Sequence, residues 1–575
     1  MFVHWCRTHW YKIGLAFAFL LPWIVFGRSL FQDFSPIDDS FLIINNPIVH
    51  GIDWQRIKLA FTTFDPELYI PLTILSFQWD WFIGGGSPLP FHLTNLVLHS
   101  LNAVLVGLLV RRVSNSFSIS IVVALLFSVH PLHTEAVVWA AGRKDLLCTF
   151  FFLLSYLAFL RGIDTHRNFF FAASLFLFFL ALFSKTLAAI LPIILLLHVT
   201  VVRKDSVLRK HIFTLIPFIV ASLAFLYIAT LGKERILSSS PVWETFVMAQ
   251  KSAAFYMQQL LFPSGLTPIY EFRGVISLFR AEFFLPALVH LSLLILAIRC
   301  IRVRPIISYC IFFYYISLSP TFFNVHKGDA FFFAVDRYAY IASIGFLMLA
   351  ALIVRSMLRR LTQYQGVYGA SLLTAILAVL VFLSIMQTRT WDSPDSLFTR
   401  TLSLYPSSVV ARVGYTSILR ERNQLEEAFA LAREGLRYGK DANLYIEAAL
   451  IYTEAGLIED ARENFLKALA LNPVSTIAEF YLGVLDEHEG NTEKAERRYA
   501  KAVENDSSHI SARVALARLL LKRSSVAEAE RQLHDSLAWN PVSLEASEAM
   551  IALADAKNDA AMRDYWTART QWLRQ

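Results

Sequence analysis

The first 388 residues consist largely of apolar runs that are each long enough to cross a bilayer, separated by short polar stretches. A spanning helix requires about 20 mostly apolar residues. Because a backbone in lipid must satisfy its own hydrogen bonds, such runs predict helices. We predict eleven of them, at approximately residues 13–31, 93–110, 117–133, 146–161, 167–184, 186–202, 211–231, 284–301, 305–322, 336–354 and 367–387.

The amino-acid composition changes after residue 388. Of the 575 residues 56% are hydrophobic and only 17% are charged, whereas a soluble protein has about 25% charged residues. The apolar excess ends near residue 388, and the remainder is rich in Ala, Glu, Arg and Leu, as soluble helices are. The sequence predicts an all-α protein composed of a membrane domain at 1–388 with a long first outer loop at 32–92, a linker at 389–408, four repeats at 409–543 and capping helices at 544–575.

Basic residues fall on one side of the membrane if the eleven helices alternate in direction. That side is predicted to be cytoplasmic, and the opposite loops are 32–92, 130–145, 232–283 and 323–335, together with everything after 388. The net charge of +7 therefore reflects membrane topology and indicates no nucleic-acid partner. The basic loops contain Arg7, Lys12, Arg111, Arg112, Arg161, Arg167, Arg203, Lys204, Arg209, Lys210, Arg299, Arg302, Arg304, Arg355, Arg359 and Arg360.

Two apolar segments need separate interpretation. Residues 246–262 carry Gln250, Lys251, Gln258 and Gln259, which are costly inside lipid, so we expect an amphipathic helix on the outer surface. If this segment spanned, twelve helices would result and the C-terminal part would be cytoplasmic. The first apolar run is followed by no small-residue cleavage site, so we expect a retained membrane helix rather than a removed signal peptide.

A 34-residue period begins at about residue 409. Its clearest unit, 442–475, has small and aromatic residues at the spacing of a tetratricopeptide repeat (TPR), and four units keep this register. Such arrays stack helix pairs around a concave face that binds peptides, although a spacer without a ligand would have the same pattern. The unit at 442–475 has Tyr445, Ala449, Tyr452, Ala461, Phe465, Ala468 and Pro473.

Adjacent carboxylates, Asp38 and Asp39, follow the first apolar run. One interpretation is structural, since Asp after Pro36 is a good helix cap. The other is catalytic, since transfer of a sugar to a hydroxyl requires a base, and a carboxylate at the membrane surface suits that role. Spacing alone leaves both open.

A second polar cluster joins the third and fourth predicted helices on the outer side. It contains His130, His133, Glu135, Arg143, Lys144 and Asp145. Polar groups at membrane depth are usually paired or functional, and arginine binds phosphate oxygens with two parallel hydrogen bonds. The two histidines with Glu135 could instead hold a divalent metal, but their spacing is not that of a metalloprotease.

Further active-site candidates are scattered along the predicted outer side: Tyr69, His92, Asn95, Lys185 and Arg337. Lys185 stands alone at a helix end, where it could bind phosphate or extend to the interface. Arg337 could bind phosphate or pair with an acid such as Asp336.

Several stretches together resemble the GT-C glycosyltransferases, and most closely the transmembrane O-mannosyltransferase and TPR-containing family. The resemblance runs in the same order along nearly the whole chain, and the His-Pro-x-His-Thr-Glu-Ala-Val run is its most specific part. The matching stretches are Asp38-Asp39 with Asn46-Pro47, Tyr69-x-Pro71-Leu72-Thr73, Phe91-His92-Leu93-x-Asn95-x-x-x-His99, His130-Pro131-x-His133-Thr134-Glu135-Ala136-Val137, Gly142-Arg143-x-Asp145, Lys185 and Arg337-Tyr338-x-Tyr340.

The resemblance implies transfer of a hexose, with mannose favoured, from a polyprenyl-phosphate carrier, with inversion and no cofactor. It implies that Asp38 or Asp39 is the base, with Asp38 preferred, and that Arg143, Lys185 and Arg337 bind the carrier phosphate. One departure is Thr186, where the family pattern leads us to expect Glu. The short repeat array favours a bacterial inner membrane over the endoplasmic reticulum of a eukaryote.

The sequence thus predicts an integral membrane glycosyltransferase whose acceptor is a Ser or Thr hydroxyl of a protein held by the repeats on the extracytoplasmic side. Two alternatives remain. The chain could be a non-catalytic scaffold in envelope or pilus assembly, or a transferase that acts on a lipid or glycan.

Overall fold

The computed structural model describes residues 2–64, 68–203, 208–233, 241–323, 326–327, 330–361 and 365–574. The chain divides into two compact units. The membrane unit comprises Met1–Ile44 and Ala60–Leu404, and the repeat unit comprises Asn45–Leu59 and Tyr405–Gln575. Lys204, one of the basic residues that predict topology, lies outside the described residues.

Up to residue 404 the chain is mainly α-helical. The α-helices are α1 (Phe2–Val25), α2 (Trp54–Thr62), α3 (Pro71–Gly84), α4 (Pro88–Ser114), α5 (Phe117–Val129), α6 (Thr134–Val138), α7 (Arg143–Thr165), α8 (Asn168–Ser184), α9 (Leu191–Leu197), α10 (Leu208–Lys233), α11 (Val242–Leu261), α12 (Ala281–Val303), α13 (Pro305–Leu318), α14 (Ala339–Leu361), α15 (Gln365–Arg389) and α16 (Pro394–Leu404). Short 3₁₀ turns lie at Gly27–Phe31, Pro131–His133, Ala140–Gly142, Thr186–Ile190, Ser319–Phe323 and Asp336–Tyr338, and π-helical turns at Ser40–Ile44 and His198–Arg203.

Each of the eleven predicted spans coincides with helix, but not every helix is long enough to cross a bilayer. Within the described residues eight helical segments are sufficiently long and apolar, and a ninth is a pair, Phe117–Val129 and Pro131–Val138, bent by 55°. The bend follows from Pro131, which ends α5 because proline supplies no N–H and disfavours helix in the residue before it. The first and fifth predicted spans give shorter apolar helices, His9–Val25 and Asn168–Ser184. The described part of the chain thus contains eight or nine candidate spans, which makes this an integral membrane protein.

The ambiguous segment at 246–262 lies in α11, which is 20 residues long but is not among the candidate spans. It buries a stripe that includes Val247, Ala253 and Tyr256, while Trp243 and Phe246 on its first turns are exposed. This pattern is consistent with an amphipathic helix, and its position at the outer surface stays a prediction.

The prediction of an all-α fold omits one small sheet. Within the described residues, strands β1 (Tyr270–Phe272), β2 (His326–Lys327) and β3 (Ala330–Ala334) form an antiparallel sheet in the order β1-β3-β2. Tyr270 is opposite Ala334, and His326 is opposite Phe331. Strands this short, of two, three and five residues, carry too little alternation to be recognised in a sequence this apolar.

The close approach of backbones in the membrane unit depends on glycine at two places. A Cβ on Gly107 of α4 would lie 2.5 Å from the side chain of Leu15 in α1. A Cβ on Gly142 would lie 2.5 Å from the carbonyl oxygen of Ala136, so the tight turn before α7 requires glycine. That turn determines where the first residues of α7 lie.

The repeat unit confirms the predicted C-terminal helical repeats. Four successive helix pairs begin at Ala442, Thr476, Ile510 and Leu544, each 34 residues after the previous one, so the predicted capping helices keep the repeat period. The helices are α17 (Val409–Glu421), α18 (Leu425–Tyr438), α19 (Ala442–Glu454), α20 (Ile458–Leu471), α21 (Thr476–His488), α22 (Thr492–Asn505), α23 (Ile510–Lys522), α24 (Val526–Trp539), α25 (Leu544–Ala556) and α26 (Ala560–Arg574).

Capping and small residues explain why the repeat unit folds this way. The first helix of every pair is preceded by a residue whose side chain accepts a backbone N–H, which satisfies a donor that the helix leaves open. Within a pair, alanines such as Ala461 and Ala495 are completely buried, which allows the helices to lie close together. The capping residues are Ser408, Asp441, Ser475, His509 and Ser543.

Candidate functional site

Asp38 and Asp39 occupy different environments although they are adjacent. Asp39 is completely buried, and its carboxylate accepts the backbone N–H groups of Ser35 at 2.8 Å and Ala141 at 2.9 Å. The side chain of Asp38 is 29% exposed and lies 3.6 Å from Nζ of Lys144. Asp39 therefore connects the first loop to the turn before α7, and Asp38 is the carboxylate that a second molecule can reach.

Burial raises the pKa of Asp39 to about 7. The loss of solvation disfavours the charged form, and the two backbone N–H groups and Lys144 offset only part of this cost. A pKa near 7 suits a general base, but a base must first reach the proton that it removes. Both oxygens of Asp39 already accept hydrogen bonds, so geometry favours Asp38.

Three cations and two aromatic rings alternate beside Asp38. Nζ of Lys144 lies 4.7 Å from the ring centroid of Trp139, and the guanidinium carbon of Arg337 lies 4.8 Å from the same ring. Arg337 also lies 5.4 Å from the ring of Tyr338, and Lys185 Nζ lies 5.5 Å from that ring. We call Lys144, Trp139, Arg337, Tyr338 and Lys185 the cationic row. Cation–π contacts hold the like charges apart at fixed positions.

Buried carboxylates balance the cationic row. Lys185 donates to Asp145 Oδ1 at 2.6 Å. Arg337 pairs with Glu135 through its side chain, and its backbone N–H donates to Glu135 at 2.8 Å. Asp145 Oδ2 and Arg337 Nε are 4.0 Å apart, and both atoms are buried without a hydrogen bond to any described residue. Buried polar atoms are almost always hydrogen-bonded in proteins, so this pair has capacity for a further oxygen ligand or water.

The candidate site draws on segments that are far apart in sequence. Asp38 comes from the first loop and Glu135 from the connection between α5 and α7. Lys144 comes from the first turn of α7, Lys185 from the end of α8 and Arg337 from the start of the tenth predicted span. The topology predicted all of these segments on the outer side. The structure brings these segments together. On the side predicted to be cytoplasmic it likewise brings together Arg112, Asp164 and Arg203.

Arg143 lies apart from the cationic row, although the sequence predicts that it binds the carrier phosphate. It is completely buried. Its guanidinium donates to Asp80 at 2.6 Å, to the carbonyl oxygen of Phe91 at 2.7 Å, and also to Asn95 and Ser76. These contacts use four of the five N–H donors of the guanidinium group, and the burial of the side chain separates it from solvent.

Asn95 and His92 lie on the first turns of α4, close to the turn that precedes α7. The amide nitrogen of Asn95 donates to the carbonyl oxygen of Trp139 at 2.8 Å, and its oxygen accepts from Arg143. His92 is buried against the backbone of Val138 and Asp33. Asn95 thus positions the segment that carries Trp139 and Lys144, whereas neither ring nitrogen of the buried His92 is hydrogen-bonded to a described residue.

The histidines of the His-Pro-x-His run bind protein groups. Nε2 of His130 lies 3.2 Å from the carbonyl oxygen of Leu260. The ring nitrogens of His133 lie 2.9 Å from the carbonyl oxygen of Phe127 and 3.1 Å from the hydroxyl of Ser343. Within the described ranges, no three His, Cys, Asp or Glu side chains are placed to hold a metal ion.

Tyr69 lies away from the cationic row among aromatic rings. Its ring centroid is 5.9 Å from that of Phe64, 6.3 Å from that of Phe183 and 6.1 Å from that of Phe225, and its hydroxyl donates to the carbonyl oxygen of Phe61 at 3.1 Å. These contacts attach the first loop to α8 and α10.

Sequence reasoning missed Asp80 and underused Trp139. Asp80 is the one charged residue in α3, and a carboxylate at membrane depth is by itself a signal of a buried partner. Trp139 lies between Glu135 and Arg143 in the second polar cluster, but its place between Lys144 and Arg337 depends on the distant turn Asp336–Tyr338, and no local pattern encodes it.

Comparison with known proteins gives partial matches. No protein-family model matches the chain. It is 38% identical to Protein O-mannosyl-transferase TMTC1 of Mus musculus over 152 residues, which is 24% of this chain and 16% of that protein. It is 35% identical to Protein O-mannosyl-transferase TMTC4 of Mus musculus over 182 residues, 28% of this chain and 24% of that protein.

These matches show homology to the TMTC protein O-mannosyl-transferases over about a quarter of the chain. The matched part spans less than a quarter of the length of the mouse TMTC1 protein. Among solved structures, the TPR protein YrrB aligns at 19% identity with a TM-score of 0.24, over 31% of this chain and 91% of YrrB. Pseudomonas aeruginosa PilF aligns at 16% identity with a TM-score of 0.27, over 38% and 91%. At such low TM-scores neither structure bears on what the chain does.

Proposed function

We propose that this protein is an integral membrane glycosyltransferase that transfers mannose from a polyprenyl-phosphate carrier to Ser or Thr hydroxyls of a protein acceptor. The observation that carries the proposal is the exposed carboxylate of Asp38 beside the cationic row. Homology to protein O-mannosyl-transferases over about a quarter of the chain supports the reaction class. The eight or nine candidate spans support a lipid-linked donor.

In the proposed reaction Asp38 accepts the proton of the acceptor hydroxyl. The hydroxyl oxygen forms a bond to the anomeric carbon of the sugar while the bond from that carbon to the carrier phosphate breaks. The polyprenyl phosphate leaves with the bonding electron pair, and the configuration inverts because attack and departure are on opposite faces. Lys144, 3.6 Å from Asp38, forms an ion pair that holds the carboxylate in place.

The leaving phosphate gains negative charge in the transition state, and fixed cations stabilise that charge without reorganising. Lys185 and Arg337 are suited to this role because their side chains are 13% and 11% exposed, whereas Arg143 is completely enclosed. We therefore assign the phosphate to Lys144, Lys185 and Arg337 and give Arg143 a structural role. The carboxylates of Asp145 and Glu135 keep these cations in place before the donor binds.

The repeat unit is proposed to hold the acceptor. Helix pairs stacked at a 34-residue period form a concave surface that binds extended peptides in related arrays. The topology predicted from basic loops puts residues after 388 on the same side as Asp38, which is the extracytoplasmic side. A protein acceptor is thus preferred to a lipid or glycan.

The test is sugar transfer by the purified full-length protein with polyprenyl-phosphate mannose and a protein acceptor. Asp38→Asn keeps the size of the side chain but removes the base, and we expect transfer to fall about 100-fold or more. Asp33→Asn, the same change five residues earlier in the same loop, is the matched control and should leave transfer intact. Full activity of Asp38→Asn would refute the assignment of the base. No transfer by the unchanged protein with any polyprenyl-phosphate hexose would favour a non-catalytic scaffold.

A further inference from the structure

A second basic cluster lies in a cavity remote from Asp38. The cavity has a volume of about 640 Å³ and lies between the start of α13 and the end of α14. Its wall contains Arg304, Arg355 and Arg359 together with apolar side chains such as Ile307 and Leu352. Cavities of this size hold drug-sized organic molecules.

The three arginines have no acidic counterpart. Arg355 donates to the hydroxyl of Ser116 at 2.7 Å, and among the described residues no carboxylate pairs with Arg304, Arg355 or Arg359. The sequence offers none nearby, because no Asp or Glu occurs from Phe283 to Gly328 or from Arg337 to Trp391. This differs from the cationic row, where a carboxylate neutralises each cation.

Arg355 and Arg359 are four residues apart on α14 and therefore neighbours on one helix face, where like charges repel. Arg304 immediately precedes α13, whose dipole adds positive potential at this end of the helix. Three guanidinium groups and a helix N-terminus thus face one cavity. An anion would relieve this repulsion, and guanidinium groups bind phosphate with paired hydrogen bonds.

The apolar part of the wall identifies the kind of anion. Leu352 and the exposed Ile353 precede Arg355 on α14, and they continue the cavity wall toward the membrane-spanning part of the helix. The arginines belong to the loops predicted to be cytoplasmic, so the cavity is at the depth of the inner headgroups. A free phosphate would not use the apolar wall, whereas a phospholipid has an acyl chain to cover it.

We propose that this cavity binds an anionic diacyl phospholipid, with the phosphate on Arg304, Arg355 and Arg359 and an acyl chain along Leu352 and Ile353. Basic pockets between membrane helices at the cytoplasmic surface are suited to such lipids. The site is separate from the proposed transfer reaction and does not depend on it.

Native mass spectrometry of the purified full chain tests the proposal. The protein is titrated with phosphatidylglycerol and with phosphatidylcholine of identical acyl chains. We expect selective retention of phosphatidylglycerol and a loss of about fivefold in affinity for each arginine changed to glutamine in Arg304→Gln, Arg355→Gln and Arg359→Gln. The variants Arg304→Lys, Arg355→Lys and Arg359→Lys keep the positive charge and should retain most of the preference for phosphatidylglycerol.

Arg111→Gln, Arg161→Gln and Arg167→Gln, combined, form the matched control, because they remove the same charge from the same predicted side outside the cavity. This triple variant should bind phosphatidylglycerol as the unchanged protein does. Equal retention of the two lipids, or undiminished retention after the changes at residues 304, 355 and 359, would overturn the proposal. Displacement of the lipid by millimolar inorganic phosphate would mean that the cavity is a site for free anions instead.

Discussion

Arg143 Nη2 donates to Asp80 Oδ2 at 2.6 Å, and both side chains are almost completely enclosed. The pair joins α3 to the first turn of α7, next to Asn95 of α4. Since α7 also carries Lys144 and Asp145, the Arg143–Asp80 pair determines where the cationic row begins. The pair stabilises the position of the cationic row but does not itself line the site.

Removing one member of this pair should destabilise the protein. Asp80→Ala leaves the Arg143 charge buried and uncompensated, and breaking a buried pair in this way costs about 3–5 kcal/mol. We expect a lower midpoint of thermal unfolding in detergent. The double change Asp80→Leu with Arg143→Met should recover part of the loss, because no charge is left unpaired.

The same variants separate a structural role of Arg143 from phosphate binding. If Arg143 acts only through folding, then the folded fraction of Arg143→Met with Asp80→Leu should have a KM for the lipid-linked donor close to that of the unchanged protein. A large rise in KM with normal thermal stability would instead restore the role that the sequence predicted for Arg143.

The raised pKa of Asp39 predicts a pH dependence of stability. The folded-state pKa is about 7, whereas an unfolded Asp has a pKa of about 3.9, so the folded state binds the proton more tightly. Asp39 therefore contributes stability that is fully present below about pH 4 and is lost as pH rises through about 7, by roughly 4 kcal/mol at most.

Asp39→Asn should flatten this dependence. The midpoint of thermal unfolding, measured in detergent between pH 5 and 8, should change less with pH than in the unchanged protein. The midpoint should also be lower at pH 5. The amide nitrogen of asparagine is a donor, so it cannot accept the N–H of Ser35 or Ala141, and one of these two hydrogen bonds is lost. Asp33→Asn is the control and should keep the original slope. An unaltered slope in Asp39→Asn would show that another group titrates.

The sequence predicted membrane helices and C-terminal repeats, and it named Asp38, Lys185 and Arg337 as candidates, because all of these depend on local pattern. Apolar runs, a 34-residue period and ionisable residues between spans are all visible without a structure. The sequence could not separate Asp38 from Asp39, since the difference lies in whether Ala141, 102 residues away, donates a hydrogen bond. It also could not separate Arg143 from Lys144, because burial of Arg143 depends on Asp80 in a different helix.

Neutralising the cationic row should weaken donor binding more than it weakens folding. A hydrogen bond to a charged group contributes about 1.5–3 kcal/mol, so Lys144→Gln and Lys185→Gln should each raise the KM for the polyprenyl-phosphate donor about 10- to 100-fold. The KM for the acceptor should change little. Lys185→Gln leaves Asp145 without its cation, so thermal unfolding must be measured beside the kinetics.

Lys251→Gln provides the matched control for both lysine variants. Lys251 also pairs with a carboxylate, that of Glu282, and also lies over an aromatic ring, with Nζ 4.2 Å from the centroid of Phe272. It is not part of the cationic row. If Lys251→Gln raises the donor KM as much as Lys144→Gln does, the effect is a general loss of positive charge and the assignment of the phosphate to the row is wrong.

Loosening the repeat unit should affect protein acceptors selectively. Gly483 in α21 has no room for a side chain, because a Cβ there would lie 2.7 Å from the ring of Tyr499. Gly483→Val therefore separates α21 from α22 at the centre of the array. We expect transfer to a folded protein acceptor to fall about tenfold or more, because its contacts with successive repeats are lost.

Transfer to a small soluble hydroxyl acceptor should persist in Gly483→Val, since Asp38 and the cationic row belong to the membrane unit. Gly366→Val is the control because no atom lies within 4 Å of a Cβ built there. Both acceptors are assayed with the same preparation and the same donor. If Gly483→Val lowers transfer to both acceptors equally, the repeats stabilise the enzyme instead of presenting its protein substrate, because only a docking role makes the loss depend on the acceptor.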